Sequence, residues 1–118
     1  MDSTQLKHGM AQFTGTEYYY RHVLSRMKYT DGVKFFAENA GGGAYWFLDI
    51  VGTEVMEIKK SRPFISIKLI AKNSKADITA TDGNDNALWN RAIEFTDCPD
   101  GEWSFYLIDE IMLLTREY

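Results

Sequence analysis

Cysteine is nearly absent. Cys98 is the only one in 118 residues, so neither an intramolecular disulfide nor a cysteine-rich zinc site can form. Histidine is almost as scarce: His8 and His22 stand alone, without the paired spacing that holds a metal. No apolar run approaches the roughly 18 residues a membrane-spanning helix needs, so no membrane association is expected. Basic charge is in deficit as well. Against 17 Asp and Glu there are 13 Lys and Arg, a formal net charge of −4, which argues against nonspecific binding to a nucleic acid backbone. Local basic clusters, at Lys59, Lys60 and Arg62 and at Lys68, Lys72 and Lys75, read as solvated edges of a helix and a strand. The opening stretch "MDSTQLKHGMAQFTG" has no basic segment followed by an apolar core, so no signal peptide is expected. With the lone cysteine, this predicts a cytoplasmic protein.

What the chain does have is ordinary hydrophobic content and a surplus of aromatics. Hydrophobic residues make up 45% and charged residues 25%, the balance of a soluble globular domain. Aromatics reach 14%, with seven tyrosines. Tyr and Trp carry an apolar body and a polar tip, which suits a half-buried sheet face or a protein interface. The length predicts one domain. Residues 1–12 are expected to be a flexible arm and residues 13–118 a single α+β domain.

Between Tyr18 and Tyr29 the spacing predicts a short helix or an irregular turn. Thr30 or Asp31 can then cap a helix whose Val33, Phe36, Ala37 and Ala40 repeat at helical spacing, with Gly41 just past its end. A second helix starts near Ala44 and carries Phe47, Leu48, Val51 and Val55 on its apolar side. Lys59 and Lys60 at its end complement the helix dipole. From Pro63 the period changes to two. "FISIKLIAK" turns Ile65, Ile67, Leu69 and Ala71 to one face, and "ADITAT" alternates Ala76, Ile78 and Ala80. "ALWNRAIEF" places Trp89, Arg91, Ile93 and Phe95 together, and "EWSFYLI" does the same with Trp103, Phe105 and Leu107 before a closing "IMLLT". The predicted architecture is α+β: two or three N-terminal helices on one face of an antiparallel meander of about five strands.

Several chemistries can be tested against this layout. "ENAGGGAYWFLDI" (38–50) has no Gly-Lys-Ser/Thr and follows a helix rather than a strand, which disfavours a phosphate-binding loop or a dinucleotide fingerprint. Backbone amides at the start of the second helix could still attract an anion. Asp82, Asn84 and Asn86 have the spacing of the first calcium-loop ligands. However, Ala87 stands where the sharp-turn glycine belongs and Ile93 where the bidentate glutamate belongs, so a polar hairpin turn is expected. Neither Cys98 nor any serine has a histidine at a telling spacing, and the paired carboxylates fall in turns. No catalytic motif and no cofactor site is found. The sharpest polar constellation is "EYYYRH", a Tyr/Arg cluster with the composition of a protein-binding hot spot. A candidate binding surface of Tyr18, Tyr19, Arg21 and His22, beside Tyr45 and Trp46, is expected.

"FTGTEYYYRH", "YTDGVKFFAENAG…AYWFLDIV", "IEFTD" and "YLIDEIMLLTREY" together resemble a family of small uncharacterised bacterial, plasmid and phage-borne proteins, a domain of unknown function. The likeness runs from Phe13 to Tyr118 and implies a single α+β domain without an assigned activity. Against that pattern Gly42 and Gly43 look inserted, Cys98 replaces an aromatic, and Glu110 replaces a hairpin glycine. The leading expectation is a noncatalytic protein-binding module acting by occlusion. Such a module would suit a phage or mobile-element accessory or counter-defence protein, for instance an inhibitor of a CRISPR or other immune effector. Three alternatives remain: a small-ligand or nucleotide-sequestering protein using Tyr18, Arg21, His22, Tyr45 and Trp46, a structural homodimer, and a small hydrolase with His22 and Cys98 as its best candidates.

Overall fold

The computed structural model describes residues 1–59 and 62–118. Helix α1 (Ser3–Met10) replaces the expected loose arm. Its N-terminus closes a capping box: Asp2 Oδ1 accepts the Gln5 amide at 2.8 Å, and Gln5 Oε1 accepts the Asp2 amide at 3.1 Å. Leu6, fully buried, and Met10 then join the core. A polar composition concealed this helix, because only two of its side chains need to be apolar once the domain supplies their partners.

The segment read as helix or turn is two short strands, β1 (Tyr19–Arg21) and β2 (Lys28–Thr30), paired antiparallel. Tyr and Thr pack well on a pleated surface, and the register sets Tyr20 against Tyr29, their rings stacked at 5.7 Å. Helix α2 (Asp31–Asn39) begins as expected. The Thr30 side chain accepts the Val33 amide, and Val33, Phe36 and Ala37 are buried. Gly41 and Gly43 take positive φ (60° and 119°) in the connection to α3 (Tyr45–Ile50). From α3 the chain runs through a π-helical turn (Val51–Val55) into α4 (Met56–Lys59). The charges expected to complement that end, on Lys60 and the Lys59 side chain, lie outside the described residues, as does most of the first basic cluster.

The remaining strands are β3 (Phe64–Lys72), β4 (Lys75–Thr81), β5 (Ala87–Ile93), β6 (Gly101–Ile108) and β7 (Ile111–Leu114), followed by a 3-10 turn (Thr115–Glu117). Among the described residues seven strands form one sheet in the order β1-β2-β7-β6-β3-β4-β5. The class is α+β as expected, but the sheet is neither five-stranded nor wholly antiparallel. β2 pairs with β7 in parallel, and after β5 the chain crosses back to put β6 on the other side of β3. A run of regularly spaced strands reads equally well as a meander, because pairing partners are chosen by packing and not by order. The β6–β7 hairpin turns through Asp109 and Glu110 at φ 50° and 67°, the paired left-handed conformation that matches strand twist.

One sheet face carries Ile65, Ile67, Leu69, Ile78, Phe105, Leu107 and Met112, all fully buried. The helices cover it. Phe36 of α2 meets Phe105 edge-on at 5.0 Å and Trp103 at 5.8 Å, while Phe47 of α3 lies 5.1 Å from Phe105. Trp89 and Ile93 pack against this core, and Arg91, on the same face, pairs with Glu54 of the π-turn. Phe95, expected in that row, lies beyond the strand and is exposed.

Candidate functional site

Cross-strand partners share a face, so the register decides what the uncovered side of the sheet carries. Buried Phe105 and Leu107 stand opposite Leu114 and Met112, which sends Tyr106, Leu113, Ile108 and Ile111 to the other side. Phe64 pairs with Ile108, and Lys28 with Ile111. Arg21 faces Lys28, and Tyr19 faces Thr30. The uncovered face is therefore divided. Toward β4 it is mostly polar, with Ser66, Lys68, Asp77, Thr79, Glu102 and Ser104 around the exposed Ile70, and Lys68 pairs with Glu102 at 3.0 Å. Toward β1 it is apolar. The ring of Tyr106 lies 4.9 Å from Phe64 and meets Tyr118 edge-on at 5.6 Å.

A hollow of about 240 Å³ opens in the apolar half, walled by Tyr19, Ile108, Ile111, Leu113 and Tyr118. Glu117 and Thr30, both buried, form its floor. Glu117 Oε1 accepts the Thr30 hydroxyl at 2.7 Å and the Leu114 amide at 2.9 Å, and Oε2 accepts the Thr16 hydroxyl at 3.4 Å. The carboxylate thus sits at the start of α2, so close that a Cβ on Gly32 would meet Oε1 at 2.6 Å. Burial pushes the Glu117 carboxyl above the ordinary range. The bonds from Thr30 and Leu114 pull it down, and the nearby Asp31 carboxylate adds to the rise.

The six residues nominated by sequence fall in three places. Tyr18 (62% exposed), Tyr19 (55%) and Arg21 lie on or beside the β1 edge, and Tyr19 walls the hollow. Tyr45 and Trp46 are on the helix side. Tyr45 stands by Tyr29 and Tyr20, its hydroxyl pushed up to about 12 by burial and by the Glu38 carboxylate. Lys34 lies over the Tyr20 ring at 4.5 Å. Trp46, half-buried, packs on the core.

His22 is buried, and it bridges two elements. Its Nε2 lies 2.8 Å from Asp49 Oδ1 of α3, and its Nδ1 lies 2.8 Å from Ser25 Oγ. Carboxylate, imidazole and hydroxyl in that order could activate a serine. Here, however, Ser25 Oγ accepts the Met27 amide at 3.2 Å and packs on Gly52, where an added Cβ would lie 2.8 Å away. The chain of bonds locks the β1–β2 loop to the helix, and the π-turn supplies the side-chain-free spot that lets the two approach. The loop tip projects Val23 (89% exposed) and Leu24 (64%) beside the β1 edge.

The glycine-rich stretch does hold an anion, and it is the protein's own. The Gly42 amide donates to Asp97 Oδ2 at 2.7 Å, and a Cβ on Gly41 would collide with the Asp97 carbonyl at 2.3 Å. At the β4–β5 hairpin, Asp82 Oδ1 accepts the Asn84 and Asn86 amides, and Oδ2 accepts the Asn86 side chain. Cys98 is buried, and burial, with Asp97 and Asp100 nearby, pushes its thiol up to about 12. Sequence reasoning missed Glu117, Tyr118, Ile111 and Leu113. The alternation of "IMLL" was the signal available for the last two, since Met112 and Leu114 point inward and leave Ile111 and Leu113 outward.

Among the described residues no helix is long and apolar enough to cross a membrane. The family model described as "Family of unknown function (DUF6876)" matches residues 4–118. Neither the curated proteins nor the solved structures gave a match.

Proposed function

Because the chain belongs to the family of unknown function DUF6876, its role is read from its own surface, and we propose that it is a protein-binding module. It docks through the apolar half of the uncovered sheet face and acts by occluding part of a partner. The observation that carries this reading is the continuous strip from Phe64 and Tyr106 through Leu113 and Ile111 to Tyr19. Tyr118, at 80% exposed, and Tyr19 stand at its surface. An apolar patch of this kind, rimmed by polar residues, is the usual mark of an interaction site. Aromatic side chains supply most of the binding energy at such sites.

At this hollow, size favours an anchoring protein side chain over a free metabolite. Small-molecule pockets usually run from about 300 to 1,000 Å³, whereas this hollow holds about 240 Å³ and suits one anchoring side chain. Photo-cross-linking residues placed separately at Tyr118 and Tyr19, in the native host, should capture the same protein. A cross-linker at Lys72, on the polar half, should not. If positions 118 and 19 capture nothing beyond that control, the reading fails.

A further inference from the structure

β1 is the last strand at its end of the sheet and pairs only with β2. Among the described residues no backbone group of residues 14–21 forms a hydrogen bond outside that pairing. Natural sheets protect such an edge with a proline, a bulge, a covering loop, a charge or sheer shortness, and of these β1 has the last two, Arg21 and a length of three residues. β1 shows a regular register and no proline. The opposite edge, β5, is blunted: its pairing with β4 is irregular at Ala80/Thr81.

Charge adds a second and independent observation. Arg21 and Lys28 are direct cross-strand partners on the uncovered face, and both are exposed. Like charges directly opposite one another repel. Among the described residues neither takes part in an ion pair; Asp109 and Glu110 of the adjoining turn line a hollow with Lys28, and Glu110 is engaged by Arg26 at 3.6 Å. The protein thus keeps two exposed cations, outside any ion pair among the described residues, side by side at the β1 edge.

Resting on the protein-binding reading above, we infer that β1 accepts an extended segment of the partner as an eighth strand. That segment carries a large apolar side chain and a carboxylate two residues apart. Residues two apart on a strand share a face and stand about 7 Å from each other. An added strand that sets its apolar residue beside Tyr19 packs that residue on the Tyr19 ring and extends the apolar strip by one strand. Its next residue on that face then meets Arg21 and Lys28, where a carboxylate relieves their repulsion. Backbone bonds supply affinity without sequence preference, and the two side chains supply the choice.

Three short capped peptides test this. The first alternates Thr and Val, with Phe and Asp two residues apart at its centre. The second has Lys in place of the Asp, and the third is the Asp peptide N-methylated at every second amide. Titrated into the whole protein and followed by backbone amide NMR, the Asp peptide should shift Tyr19, Tyr20 and Arg21. The Lys peptide should bind about two- to fivefold more weakly, the effect expected of a solvent-exposed charge contact, and the N-methylated peptide should not bind. In Arg21→Glu, an exposed substitution that leaves the core intact, the preference should reverse toward Lys. The inference is overturned if the Asp peptide does not bind, if Asp and Lys peptides bind equally, if the N-methylated peptide binds as well, or if the shifts centre on residues 87–93. Should these peptides fail while cross-links from positions 19 and 118 still capture a partner, the binding face stands and edge pairing alone falls. If neither gives a signal, both fall.

Discussion

Replacing Glu117 by glutamine should cost little at neutral pH and should erase one component of the pH dependence of stability. The reason lies in which oxygen does the accepting. Both the Thr30 hydroxyl (2.7 Å) and the Leu114 amide (2.9 Å) bond to Oε1, and only the longer Thr16 contact (3.4 Å) uses Oε2. A glutamine that keeps its oxygen at Oε1 retains both short bonds. Its amide nitrogen then faces the Thr16 hydroxyl and the Asp31 carboxylate, which accept a donor where they now meet a second carboxylate. The burial cost of the charge disappears at the same time. Glu117→Ala behaves differently: it orphans two buried donors at about 1–3 kcal/mol each, so a loss of roughly 2–6 kcal/mol is expected.

The sign with pH follows from the raised carboxyl. Between the ordinary glutamate value of about 4.3 and the higher folded value, the folded protein keeps a proton that the unfolded chain has released. The stability this confers is fully present below the ordinary value and is lost as pH rises through the folded one. Urea denaturation of wild type and Glu117→Gln across that interval isolates the effect, since every other carboxylate is common to both. The wild-type minus Gln difference should fall with rising pH and then level off. A flat or rising difference would refute the reasoning. So would a Gln variant more than about 2 kcal/mol less stable at neutral pH, because the charge would then be holding the C-terminus to α2.

Gly52→Ala tests the π-turn. Alanine is the better helix former by about 1 kcal/mol, yet its Cβ would lie 2.7 Å from His22 Nδ1 and 2.8 Å from Ser25 Oγ. A net loss of about 1–3 kcal/mol in denaturation is expected, with Gly15→Ala, which meets nothing within 4 Å, as the tolerated control. Glu110→Gly should stabilise by about 0.5–1 kcal/mol by relieving left-handed backbone strain at φ 67°. The Arg26 contact it gives up is long and exposed, and a lower melting temperature would contradict this. Native Cys98 should resist iodoacetamide near neutral pH, because its buried thiol titrates only at about 12. Labelling should accelerate in step with urea unfolding, and rapid labelling of the folded protein would show that the thiol is accessible.

Much of the architecture could be read along the chain. The Thr30 cap, the Val33–Phe36–Ala37 stripe and the glycine after it specify α2 locally, because capping and helical periodicity need no distant partner. The inward rows of β3, β4 and β6 were equally legible, since a period of two assigns each side chain to a face wherever one face is buried.

Tertiary structure decided the rest. Three-residue strands carry no periodicity of their own, so Tyr19–Arg21 and Lys28–Thr30 became strands only because β7 offered a parallel partner. Pairing across the chain, not order along it, turned Tyr19, Ile111, Leu113 and Tyr118 into one surface. The same long-range packing drew His22 inward to Asp49, separated Tyr45 and Trp46 from Tyr19, and brought Glu117 beneath Thr30. Local elements are chosen by near-neighbour energetics that a sequence displays directly. Which faces meet, and which remain open to a partner, is set by contacts between residues as far apart as Thr30 and Glu117.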